Sequence, residues 1–258
     1  TLRNQAGVGA QPEPDIAGIE ALTGRLESAL RHTFGLSLGL EYPPGLHAGE
    51  LELRALARIV GAHDRVIMSH LRSEDDDRID ASLDELIRLG LHARVHVAHL
   101  KSVYGRGTAR AEEILRKLDL ARRNGVPITA DSYPYTASYT DIGLLFPVWA
   151  KTQADFEAAR RTRGDELAAY LRERVLARNG PAATLLGTPP WTGRTLADLE
   201  QSLGKPFERV LIEDIGPEGA NAAYFVMDEA LQERLLADPF VAVASDGSPT
   251  GFHPRGHG

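Results

Sequence analysis

The spacing of apolar residues switches between two periods along most of the chain. Ile16, Ile19, Leu22, Leu26 and Leu30 recur every three or four positions, as one buried face of a helix requires. The stretch 34–42, containing GLSLGLEY, is short, apolar and glycine-rich and stops at Pro43-Pro44-Gly45, the pattern of a buried strand running into a loop. From there the two periods take turns. The pattern predicts helix over 50–60, strand over 65–71 (RVIMSHL), helix over 80–89, strand over 94–100 (RVHVAHL), helix over 109–123 and strand over 126–133. A last strand is predicted over 240–245 (FVAVAS), just before Asp246-Gly247. Apolar strands alternating with amphipathic helices predict an α/β fold of parallel units with both sheet faces covered, either a (β/α) barrel or a doubly wound sheet.

Residues 150–223 interrupt this cycle with a charged helix over 155–178, a loop rich in Gly, Pro and Thr, and a short helix over 196–203. The interruption reads as an inserted lobe, so the expected organisation is β/α units over 1–149, a lobe over 150–223 and a last β/α segment over 224–258. A lobe that follows a strand end lies on the side where active-site loops gather.

Composition narrows the function more than the fold. At 258 residues, 43% hydrophobic and 25% charged, the chain has the make-up of a globular domain and not of a disordered one. Its net charge is −7 and its Lys and Arg are scattered, which leaves no basic footprint for nucleic acid or an anionic membrane surface. No apolar run approaches the roughly 18 residues of a membrane span. There is no cysteine, so any metal held within the chain must sit on histidine and carboxylate. The expected partner is a small molecule and the expected location the cytoplasm, with the oligomeric state open. The opening TLRNQAGVGA has neither a starting Met nor a signal-peptide pattern, so residues are expected to precede Thr1.

The chemistry-bearing signal is an echo. Ser69-His70-Leu71-Arg72-Ser73 closes one predicted strand and Ala98-His99-Leu100-Lys101-Ser102 closes the next. The histidines are separated by about one β/α unit, so both are expected at the C-terminal mouth of the sheet, where imidazole is a ready metal ligand. Each alone fits a satisfied core histidine better than a ligand; the repetition reverses this and favours a site. Arg72 and Lys101 share strand parity with their histidines and offer either site cations or solvated loop charges. Asp246 ends an apolar strand that does not need it for solubility. Asp-Gly is also an ordinary turn signal, but a carboxylate beside a metal-bound water can carry a proton to a leaving amine. Asp131, ending another strand, competes for that role. Glu41 is either a polar wall near the metal or a salt-bridged structural glutamate.

In this order, GLEYPPG, SHLRSE, AHLKS, ADSYPYTAS, ASDGS and HPRGHG resemble the N-acyl-D-amino-acid deacylases (D-aminoacylases) of the amidohydrolase superfamily. The resemblance implies a TIM-like (β/α) barrel beside a small β-sandwich, with an inserted lobe before the last strand, and hydrolysis of an N-acyl-D-amino acid driven by Zn2+. It implies His70 and His99 as zinc ligands and Asp246 as the metal-contacting acid–base group. Lys101, Tyr133 and Arg255 match groups that bind the substrate carboxylate. The family's His-x-His pair and cysteine ligand are absent from this chain. They, the sandwich and the first barrel strands are therefore expected before Thr1, and as it stands the chain is expected to be incomplete for activity. Tyr139 stands where some members have serine, which bears on the preferred side chain. Other amide hydrolyses of the superfamily, on dipeptides or cyclic amides, and an inactive remnant serving as a binding module are the alternatives.

Overall fold

The structure is a computed structural model and describes residues 1–248 and Arg255. Among these residues the strands are β1 (Gly35–Gly39), β2 (Val66–His70), β3 (Arg94–Val97), β4 (Ile128–Ser132), β5 (Ala137–Asp141), β6 (Thr184–Leu186), β7 (Asn221–Phe225) and β8 (Val241–Val243). The chain forms two compact units. The first is Thr1–Pro134 with Asp228–Ser245; the second is Tyr135–Met227 with Asp246–Gly258. The second unit thus takes in residues on both sides of the 150–223 stretch that the sequence marks as a lobe.

In the first unit, β1, β2, β3, β4 and β8 make one parallel sheet in that order. Each β/α unit adds its strand beside the last, without the reversal of order found in a doubly wound sheet. The cause of the alternation lies in the register. Ile67, Val95 and Ile128 form one row across the sheet, and Val97, Ala130 and Val241 belong to another. Both rows belong to one buried core with the apolar faces of the helices Ile16–Leu30, Glu50–Ala62, Ile79–Leu89, Gly107–Arg123 and Glu229–Leu236. Leu22, Leu56, Leu83, Ile114 and Leu231 are each inaccessible or nearly so. Full burial of such a side chain contributes about 1.5–3 kcal/mol, so the core fixes which strand residues point the other way. That opposite row is Ser37, Met68, His96 and Thr129, with His70 two residues beyond Met68.

The helix predictions of the first unit hold, with boundaries shifted by at most two residues. The strand over 94–100 ends sooner, at Val97, because Ala98 and His99 leave the ladder. The predicted strand 240–245 is confined to Val241–Val243, which puts Asp246 three residues past its end.

The second unit carries a small antiparallel sheet, in the order β5-β7-β6, that periodicity did not reveal. Its strands are only three to five residues long, too short for a period of two to stand out in the sequence. The single charged helix expected over 155–178 is two helices, Gln153–Thr162 and Gly164–Ala177, broken at Arg163. The helix Leu196–Leu203 is as expected and starts with a reciprocal cap between Thr195 and Asp198. Tyr139 lies on β5 against Gly187, where a Cβ would stand 2.5 Å from its Oη, so a larger residue there would displace the Tyr139 ring. Burial raises the Tyr139 phenol pKa against a hydrogen bond from Asn221. No described helix is long and apolar enough to cross a membrane.

Candidate metal centre

His70 is the last residue of β2, and His99 lies two residues past β3, its neighbour in the sheet. Their rings meet edge to face, with His70 Nδ1 and His99 Nε2 2.8 Å apart. The outer nitrogens have partners too. His70 Nε2 is 2.8 Å from Glu41 Oε2. His99 Nδ1 is 2.9 Å from Lys101 Nζ and 3.0 Å from Glu74 Oε1. Lys101 and Glu74 are both buried and joined by a close ion pair.

These partners fix the ring protons. An ammonium only donates, so Lys101 makes His99 Nδ1 an acceptor; His99 Nε2–H then donates to His70 Nδ1, and His70 Nε2–H to Glu41. A cation between the rings needs lone pairs on both facing nitrogens. His70 already presents one, since its proton is held by Glu41, and His99 gains one by moving its proton to Nδ1, within reach of Glu74. Carboxylates behind ligating imidazoles are the usual support of a metal site. In tetrahedral zinc with Zn–N of about 2.0–2.1 Å the nitrogens stand roughly 3.3 Å apart, so the rings would open by about half an ångström. His70, Glu74 and His99 each offer a ligand atom within 4.8 Å of the other two. The donor set fits a divalent metal.

Electrostatics agree. Burial pushes the Glu74 carboxyl up, but the Lys101 ammonium and the neighbouring imidazoles outweigh it and hold it well below the ordinary carboxylate range. Glu74 is thus an anion placed behind the histidines.

The backbone at His99 is unusual, with φ +39°. A non-glycine residue there costs about 1 kcal/mol or more and needs its surroundings to hold it. Asp131 Oδ1 accepts the His99 backbone N–H at 2.5 Å, and Asp131 Oδ2 lies 2.8 Å from His96 Nε2. Burial raises the Asp131 carboxyl pKa, but the hydrogen bonds with His96 and the His99 N–H outweigh it, for a net depression.

No protein-family model matches the chain. It is 29% identical over 223 residues, 86% of its length, to an N-acyl-D-glutamate deacylase of Alcaligenes xylosoxydans xylosoxydans. It is 27% identical over 251 residues, 95% of its length, to a D-aminoacylase of the same organism. Its fold matches the crystal structure of the N-acyl-D-glutamate deacylase of Bordetella bronchiseptica, solved with zinc and a phosphonate mimic of the tetrahedral intermediate. That match has a TM-score of 0.73 and 27% identity, and covers 95% of this chain and 46% of that one. In sequence and in fold the chain is similar to N-acyl-D-amino-acid deacylases. It spans 39% and 44% of the lengths of the two curated deacylases.

The other residues singled out in the sequence fall in two places. Tyr133 shares the first unit with the histidines, buried, with its ring 6.4 Å from that of His99 and 5.4 Å from Lys101 Nζ. Asp246 and Arg255 belong to the second unit. There Arg255 is buried and donates to Asp246 Oδ2 at 2.9 Å and to the Ala137 carbonyl at 2.6 Å. His253 and His257, the remaining histidines of HPRGHG, lie outside the described residues. Arg72 does not keep parity with His70, because β2 ends there. It pairs with Glu85 and donates to the Leu46 and Ala48 carbonyls, tying the loop after β1 to the helix Ile79–Leu89. Glu74 was not singled out. Its spacing of four from His70 was its only local signal, in a run of acids (EDDD) that reads as solvated.

Proposed function

We propose that this chain is the metal-binding part of a zinc-dependent deacylase that hydrolyses N-acyl-D-amino acids to a carboxylic acid and a D-amino acid. The observation that carries the reading is the facing pair His70 Nδ1 and His99 Nε2, with Glu41, Lys101 and Glu74 on the outer nitrogens. In the same reading the five-stranded sheet is a sector of a TIM-like barrel, supported by strands that follow chain order without reversal.

His70 and His99 would hold the zinc. When bound, zinc supplies polarisation of the amide carbonyl and a water acidic enough to ionise near neutral pH. Asp246 would take a proton from the attacking water and return it to the departing amine nitrogen. Lys101, Tyr133 and Arg255 hold the free carboxylate of the substrate and so align the scissile bond. Lys101 has a second task, since its ammonium also fixes Glu74 against His99.

The test is zinc content and turnover of N-acyl-D-amino acids, against their L enantiomers, in the protein at its native length. Stoichiometric zinc with D-selective deacylation is expected. Zinc without deacylation would move the reading to another amide hydrolase, and no zinc uptake would leave a binding module.

A further inference from the structure

We propose that Asp131, braced by His96 and Thr129, is the positioning residue that sets His99 for metal binding; this rests on the metal-site reading above. The sheet itself provides the reason. The β3–β4 ladder runs through Val97 paired with Ala130, and the chain then departs. Ala98 N–H goes to the Ser69 carbonyl on one side and Leu100 N–H to the Asp131 carbonyl on the other. The His99 N–H between them finds no strand carbonyl, and the Asp131 side chain takes it instead. The same contact holds the positive φ that turns the His99 ring toward His70.

Asp131 is in turn prevented from rotating. His96 lies on β3 and Thr129 on β4, in one cross-sheet row. His96 Nδ1 is 2.8 Å from Thr129 Oγ1 and its Nε2 is 2.8 Å from Asp131 Oδ2. The donors run one way. Thr129 O–H donates to His96 Nδ1, His96 Nε2–H to Asp131 Oδ2, and the His99 N–H to Asp131 Oδ1. Both carboxylate oxygens are engaged, one by the brace and one by the ligand's backbone. Asp131 therefore acts through His99, not on the substrate, although its place at a strand end makes it look like an acid–base group.

Titration of the native-length protein with Co2+, followed by visible absorption, tests this. Asp131→Ala should weaken binding about 10–100-fold, the range for losing an outer support of a ligand, and alter the spectrum. Asp131→Asn, which keeps an oxygen for the His99 N–H, should stay within a few-fold of wild type. His96→Ala should show a smaller loss, about threefold or more. Asp228→Ala, which removes a helix cap in the same unit, should destabilise the fold but keep affinity. Wild-type Co2+ affinity and spectrum in Asp131→Ala would overturn the proposal, as would an equal loss in Asp228→Ala. Should Asp131→Ala not fold, unchanged affinity in His96→Ala would overturn it. If the wild type takes up no Co2+, the metal reading falls and the brace is read by 15N NMR. A moved His99 amide and a lost His70–His99 ring correlation in the Asp131 or His96 variant would then support it, and unchanged signals would sink it.

Discussion

Lys101 and Glu74 form a buried ion pair directly behind His99, the residue through which both reach the candidate metal centre. Removing one partner of such a pair leaves a charge without compensation in the interior, at a cost of about 3–5 kcal/mol. Lys101→Met should therefore lower the urea midpoint strongly. The double variant Lys101→Met/Glu74→Leu should recover much of that stability while still binding zinc poorly, because the support behind His99 is gone. A double variant with wild-type zinc affinity would show that the pair serves the fold alone.

His99→Ala should lower bound zinc and abolish deacylation together, since one imidazole is a large share of a three- or four-ligand site. Metal analysis after dialysis gives the occupancy. Full zinc in this variant would remove His99 from the ligand set.

Asp246→Asn should keep the fold and most of the zinc but reduce turnover about 100-fold or more, the effect of losing a general acid–base group. Asp131→Asn is the comparison, and should lose far less. The reverse order of turnover numbers would hand the proton-transfer role to Asp131.

Arg255→Met should raise KM for N-acyl-D-amino acids by the equivalent of roughly 1.5–3 kcal/mol, the strength of a charge-assisted contact. The wild type should already act poorly on the matching N-acyl amine, which lacks the carboxylate, and the substitution should add little there. Equal wild-type activity on acid and amine would dismiss the carboxylate grip.

Asp228 accepts backbone N–H groups from both Leu231 and Gly107, and so caps two helices. Those hydrogen bonds, with Arg106 nearby, lower its pKa against a small effect of burial. A lowered folded pKa means that its stabilisation is complete above the unfolded carboxylate pKa of about 3.9 and is lost as pH falls through the folded value. Asp228→Ala should cost about 0.5–2 kcal/mol near neutrality. The gap from wild type in urea midpoint should hold from pH 7 to about 5 and shrink below about 4; a gap that widens on acidification would contradict the assignment.

What the sequence determined by itself is what local burial dictates. Helix and strand follow from where Leu22, Leu56, Ile67, Leu83, Val95 and Ile114 recur, because a half-buried element must repeat its apolar residues at its own geometric period. The two strand-end histidines were legible for the same reason: identical surroundings one β/α unit apart put them on neighbouring strands. Tertiary structure alone decided their partners. Glu41 reaches His70 from the loop after β1, Glu74 reaches His99 from the loop after β2, Asp131 replaces a ladder carbonyl at His99, and Arg72 turns away to Glu85. The sheet β5-β7-β6 was likewise out of reach, since its short strands pair residues some 40–90 positions apart. A periodic pattern records which side of an element is buried, but not which polar group another element brings to meet it, and in this protein the candidate metal centre is built from such meetings.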